Sequence, residues 1–197
     1  MAAARIGVFG GTFDPPHVGH LVTAVDVRHA LHLDEVLLVV ANEPWQKLGR
    51  RPISPAADRL AMVEAAVAGV EGLTACDLEI ARGGHSYTAD TLAELAEQHP
   101  GAALFLVLGA DAASGLPTWE RVEEVRARAS LVVVDRAGAL PPVVPEGWEW
   151  THVEVPRLDV SSTELRDRVA EGRPLDYLLP RDVISCVRER QLYRGPA

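Results

Sequence analysis

A doubly wound α/β fold is predicted by three observations. Short apolar runs recur at 5–10, 35–41, 103–108 and 131–135, stretches of helical periodicity separate them, and the connections between are short. Strands that alternate with helices across short connections pair in parallel through right-handed crossovers. The unbroken apolar character of 36–41 marks a strand buried on both faces, so helices are expected on both sides of the sheet.

Taken in order, residues 5–10 read as the first strand and 18–31 as a helix, and 35–41 as the second strand. Residues 42–55, with Pro44, Gly49, Pro52 and Pro55, form a loop, and 56–68 a helix with Leu60, Val63, Ala66 and Val67 on one face. A third strand is expected over 73–80, a Gly-rich loop over 82–86, and a helix over 87–98 that Pro100-Gly101 ends. The fourth strand is 103–108, followed by a turn into 112–117, a helix over 119–129 and a fifth strand over 131–135. After a Pro-rich excursion over 138–150 come a sixth strand at 151–155 and helices at 161–171 and 180–191. The expected architecture is a Rossmann-like, mostly parallel sheet of about five to six strands with helices on both faces. It forms one domain over 1–197, of which about 156–197 is a helical subregion.

Composition bounds the function. With 48% hydrophobic and 24% charged residues the chain has the make-up of a water-soluble globule. A net charge of −9 argues against a nucleic-acid-binding surface. No apolar run is long enough to cross a bilayer, so no membrane partner is expected. Cys76 and Cys186, far apart in sequence, suit a reducing compartment and read as buried small apolar residues. The start of the chain runs directly into the first strand, and a cytoplasmic location is expected. A homo-oligomer is left open.

The stretch Gly10-Gly11-Thr12-Phe13-Asp14-Pro15-Pro16-His17-Val18-Gly19-His20 joins the first strand to the first helix. Two glycines permit close approach of backbone to a ligand, and the helix start offers N–H groups and a positive dipole end for a phosphate. His17 and His20, three apart, share a helical face, and Gly19 removes a side chain from between them. A zinc site built on the two histidines and Asp14 is the competing reading, with no further ligand at the usual spacing. Further along, Ser161 and Glu164 spell a capping box, and Ser162, Thr163 and Arg166 add hydroxyls and a cation at the same helix start. Tyr87-Thr88 opens another helix, which Ser86 or Thr88 could cap.

These motifs resemble those of the nicotinate mononucleotide adenylyltransferases, within the nucleotidylyltransferases that carry a His-x-Gly-His motif. The resemblance rests on the Gly10–His20 stretch, on Ser86-Tyr87-Thr88-Ala89-Asp90-Thr91-Leu92, on Gly109-Ala110-Asp111 with Leu116-Pro117-Thr118-Trp119, and on Val160-Ser161-Ser162-Thr163-Glu164-Leu165-Arg166. It implies adenylyl transfer from ATP to nicotinate mononucleotide, with Mg²⁺ held mainly by the phosphates. His17, His20 and Arg166 are then the catalytic group, and Gly10, Gly11, Thr12, Gly19, Ser162, Thr163 and Lys47 bind ATP or phosphate. Thr88 and Tyr87 meet the nicotinate carboxylate, Trp119 stacks on the pyridinium, and Asp111 takes ribose hydroxyls. The family's Pro-Pro-His-Lys is here Pro44-Trp45-Gln46-Lys47, which puts Trp45 over or across the substrate site. The alternatives are a related transferase for phosphopantetheine or a cytidylyl acceptor, a nucleotide-binding sensor without catalysis, and a metal-dependent hydrolase.

Overall fold

The computed structural model describes residues 3–44, 52–136 and 142–194. Its centre is a six-stranded sheet in the order β3-β2-β1-β4-β5-β6. The strands are β1 (Arg5–Gly11), β2 (Glu35–Val40), β3 (Leu73–Cys76), β4 (Ala103–Gly109), β5 (Ala129–Arg136) and β6 (Trp150–Val155). Every neighbouring pair is parallel. The chain builds outward from β1 in one direction, then returns to β1's other side with β4. The order therefore reverses between β1 and β4, and ligands bind at such a point beyond the carboxyl ends of the strands.

Alternation along each strand divides the core in two. Ile6, Val8, Leu37, Val39, Leu104 and Leu106 point to one face. That face is covered by α3 (Leu78–Arg82), α4 (Thr88–Gln98), α5 (Ala110–Ser114) and α6 (Val122–Arg128). Val36, Leu38, Val40, Val107, Val132 and Val134 point to the other, under α1 (Val18–Ala30) and α2 (Ala56–Val67). A third apolar cluster joins Met62 and Ala66 of α2 to α7 (Ser162–Ala170) and α8 (Arg181–Glu189), through Leu165, Val183 and Ile184.

The third strand is shorter than the sequence suggests. It ends at Cys76, and α3 follows where a strand was expected to 80. The reason is tertiary: the helical turn carries Leu78 into the core and brings the buried Glu79 to within 2.6 Å of the Thr91 hydroxyl, which donates to it. Trp119 falls outside any helix, between a 3-10 turn at Leu116–Thr118 and α6. Both cysteines are half-buried free thiols, and burial pushes each thiol's pKa up.

Candidate active site

The loop after β1 is held by internal packing more than by its glycines' freedom. Phe13 takes a left-handed backbone conformation, φ 48°, and is 2% exposed. Its ring folds back over Gly11, where an added Cβ would lie 2.7 Å from the ring tip. A Cβ at Gly10 would meet nothing within 4 Å. The two glycines thus differ: Gly11 makes room for Phe13, and Gly10 leaves open space for a ligand. Gly11→Ala is expected to cost about 1–3 kcal/mol through overpacking, read as a lowered midpoint in thermal denaturation. Gly10→Ala keeps the wild-type midpoint; equal melting of the two variants would contradict this division.

His17 is the N-cap of α1, and its backbone N–H donates to His20 Nδ1 at 3.2 Å. An imidazole thereby does the work that a Glu does in a capping box. Because Nδ1 accepts, the neutral ring of His20 carries its proton on Nε2. The two imidazoles stack with centroids 3.7 Å apart, and Phe13 and Phe9 lie edge-on or tilted against His20 at 5.1 and 6.2 Å. A Cβ on Gly19 would come within 3.1 Å of His17 Nδ1 and 3.2 Å of Val160 Cγ1. Gly19 therefore admits the His17 ring and the segment leading to α7, rather than separating the two histidines.

Two clefts flank the carboxyl end of β1. One, of about 600 Å³, is lined by His17, His20, Gly19, Thr23, Asp111 and Ser162, with Gly109 and Val160 nearby. The other, of about 290 Å³, is lined by Gly10, Gly11, Thr12, Tyr87, Thr88 and Trp119. Sequence-predicted residues are thus brought to one edge of the sheet but sorted between two chambers. Gly10, Gly11 and Thr12 face the chamber of Thr88 and Trp119, while Asp111 lies with the histidines. Ser86 also lines the smaller chamber, and its hydroxyl, shielded from solvent, meets no hydrogen-bonding partner among the described residues.

Ser161 caps α7, accepting from the Glu164 N–H at 3.2 Å, while Glu164 turns to Arg168 at 3.0 Å, so half of the capping box forms. Ser162 Oγ donates to the Pro15 carbonyl at 2.9 Å, and Arg166 Nη1 to the Asp14 carbonyl at 2.8 Å. Arg166 Nη2 also donates to Thr163 Oγ1 at 3.0 Å. Thr163 and Arg166 therefore brace the histidine-bearing loop and do not line either cleft. Lys47 and Trp45 lie outside the described residues, as do 138–141 of the expected excursion.

Asp14 is 1% exposed, and its carboxylate accepts from the Tyr193 hydroxyl at 2.8 Å and the Ser54 N–H at 3.5 Å. Burial first, then Asp14, raise the Tyr193 phenol well above its ordinary value. Asp14 is thus turned toward the C-terminal segment, away from a zinc site with the histidines. Among the described residues no three His, Cys, Asp or Glu side chains converge to hold a metal ion.

Arg59 and Glu79, like Tyr193, escaped the sequence reading. Arg59 of α2, 1% exposed, donates to the carbonyls of Thr12 at 3.0 Å, Ala41 at 2.5 Å, Asn42 at 2.9 Å and Ser54 at 2.9 Å. It ties the loops after β1 and β2, the floor of the smaller cleft. Its signal was present: Arg59 stands four residues before Val63, on the apolar stripe of its helix. Glu79 lines the smaller cleft and was hidden inside an expected strand.

The fold and this two-chambered edge define a nucleotide-binding α/β protein, and residues 8–168 match the profile of the cytidylyltransferase-like family. A protein of Halalkalibacterium halodurans, named probable nicotinate-nucleotide adenylyltransferase, is 42% identical, with 96% of this chain and 91% of that protein aligned. One of the same name from Roseiflexus sp. is 44% identical over 98% of this chain and all of its own length, 100%. The Plasmodium falciparum nicotinic acid mononucleotide adenylyltransferase, solved in complex with NaAD, shares the fold with a TM-score of 0.77 at 18% identity, over 96% of this chain and 97% of that one. The chain belongs to the cytidylyltransferase-like family and, within it, to the nicotinate-nucleotide adenylyltransferases.

Proposed function

We propose that the protein transfers the adenylyl group of ATP to nicotinate mononucleotide, releasing pyrophosphate and giving nicotinate adenine dinucleotide for NAD biosynthesis. The observation that carries this reading is the pair of clefts meeting at the end of β1. ATP takes the larger one, with the His-x-Gly-His pair and Ser162, and the mononucleotide takes the smaller. The names of the relatives and the NaAD complex of the Plasmodium protein support the substrate class.

An oxygen of the mononucleotide 5′-phosphate attacks the α-phosphorus of ATP, forming the new P–O bond. The bond from that phosphorus to the bridging oxygen breaks, and its electron pair leaves with pyrophosphate. No protein nucleophile is required, so positioning and charge stabilisation carry the rate. His20 donates from Nε2 toward the phosphate oxygens as the neutral tautomer, and His17 lies stacked beside it. Thr12 lines the smaller cleft at the end of β1 and would contact a phosphate there. Arg166, one turn after Ser162 and Thr163, keeps the histidine loop in place, and from behind that loop its charge would offset the charge on the leaving pyrophosphate. The donor set fits Mg²⁺ carried in by the triphosphate rather than a protein cage; bound there, it would draw charge from the phosphate oxygens.

In the smaller cleft the backbone N–H groups at the start of α4 and the Ser86 hydroxyl suit the nicotinate carboxylate. The indole of Trp119 offers a face to the cationic pyridinium. Asp111 lines the larger cleft, where its carboxylate would accept from ribose hydroxyls. Residues 1–197 act as one catalytic unit, and the described helical part, about 156–194, docks on α2 and on the loop after β1. No helix among the described residues is long and apolar enough to cross a membrane.

Pyrophosphate release from ATP and Mg²⁺ tests the reading, with nicotinate and nicotinamide mononucleotides compared. Faster release with the acid is expected. Equal rates would remove the carboxylate pocket while keeping adenylyl transfer, and no release with either would remove both.

A further inference from the structure

The walls of the smaller cleft come from two separate segments, the start of α4 and the stretch between the 3-10 turn and α6. Each wall leads, two residues further on, to one member of an ion pair: Asp90 after Thr88, and Arg121 after Trp119. Arg121 Nη2 lies 2.7 Å from Asp90 Oδ2, and the guanidinium sits 6.0 Å from the Tyr87 ring centroid. Arg121 caps α6 in the left-handed region, φ 52° and ψ 43°, which an arginine seldom adopts. The turn after Trp119 therefore accepts an unfavourable backbone while its side chain reaches across to α4.

Asp90 is the acidic residue in the first turn of α4, the same turn that opens with Thr88. The hydrogen bond from Arg121 is the largest influence on it and holds its pKa below the usual carboxylate value. It is therefore ionised at neutral pH, beside the helix start that receives the substrate acid. The other cation acting on it is Arg82, which is itself paired with Glu94 at 2.9 Å.

We propose that the Asp90–Arg121 pair sets the acid-over-amide specificity of this cleft. Arg121 cancels a carboxylate that would otherwise repel the nicotinate acid, and it ties the Thr88 wall to the Trp119 wall. The inference rests on the mononucleotide occupying this cleft. Neither residue touches the reacting atoms; both are positioning and specificity residues. The helix dipole already favours Asp90 in the first turn of α4, and the pair with Arg121 offsets its charge beside the helix start.

The test compares kcat and KM for nicotinate and nicotinamide mononucleotides in the wild-type enzyme, R121Q and D90N. Loosening the tie raises KM for both substrates in both variants. Uncancelled Asp90 in R121Q lowers the acid-to-amide ratio of kcat/KM by about fivefold, the scale of one near-surface charge contact, with the change in KM for the acid. In D90N the guanidinium remains near the cleft without the carboxylate, and the ratio does not fall. The R121Q deficit narrows in high salt, because the interaction is screened. A purely structural tie would move the ratio alike in both variants or leave it unchanged in both, and either result overturns the proposal. If the wild-type enzyme releases no pyrophosphate with either mononucleotide, the assignment of the cleft falls first and this inference with it.

Discussion

His20→Ala is expected to lower turnover by about 10²–10³-fold, the usual loss when one preorganised donor to a developing phosphate charge is removed. The ring is unusually well fixed for that task. His17 N–H sets its tautomer, and His17, Phe9 and Phe13 set its plane. The loss should appear in kcat more than in KM for ATP, because the donor acts most strongly in the transition state. His20→Gln, whose amide reproduces an Nε2-type donor, should retain more turnover than His20→Ala. Near wild-type turnover in His20→Ala, measured by pyrophosphate release, would remove the residue from the catalytic group.

Arg59→Met should be the most damaging substitution for stability. It keeps much of the side-chain volume but leaves the carbonyls of Thr12, Ala41, Asn42 and Ser54 without the guanidinium that now donates to them. Buried polar groups stripped of a charged partner cost about 3–5 kcal/mol together. For a chain of this size that corresponds to a melting midpoint lower by about 10 °C. Arg59→Lys should recover only part of the loss, because a point charge with a compact head cannot span carbonyls from three segments as a planar fork does. Residual turnover in Arg59→Lys should fall below what its stability implies, since Thr12 and Ala41 form the cleft floor. A midpoint equal to wild type in Arg59→Met would show that the loops hold themselves.

The strands and most helices were legible because their signals are local. Val36 to Val40, a short β-branched and apolar run, reads as a strand buried on both faces, and the alternation of Leu104, Leu106 and Val107 between the two cores follows from a period of two. Leu73 to Ile80 was not legible past Cys76. Its apolar residues suit a strand equally well, and the helical turn pays off only when Glu79 meets Thr91 from another helix. The candidate site shows the same limit. Motif spacing singled out His17 and His20, and the family resemblance added Thr88 and Trp119, whereas no short-range motif singled out Arg59 or Tyr193. Their roles exist only where α2 and the C-terminal segment meet the loop after β1.

The sequence by itself determined the parallel α/β class, the glycine-rich turn into a histidine-bearing helix and the family these motifs mark. Those features depend on hydrophobic period and on residue types at short spacing, which a chain carries before it folds. Tertiary structure alone decided that Gly11 serves Phe13 while Gly10 borders the open space of the smaller cleft, and that the site residues divide between two chambers. It also decided that a buried arginine holds the floor beneath the smaller one. These outcomes depend on which surfaces approach across the reversal between β1 and β4, and contacts between residues far apart in sequence leave no period or spacing to read.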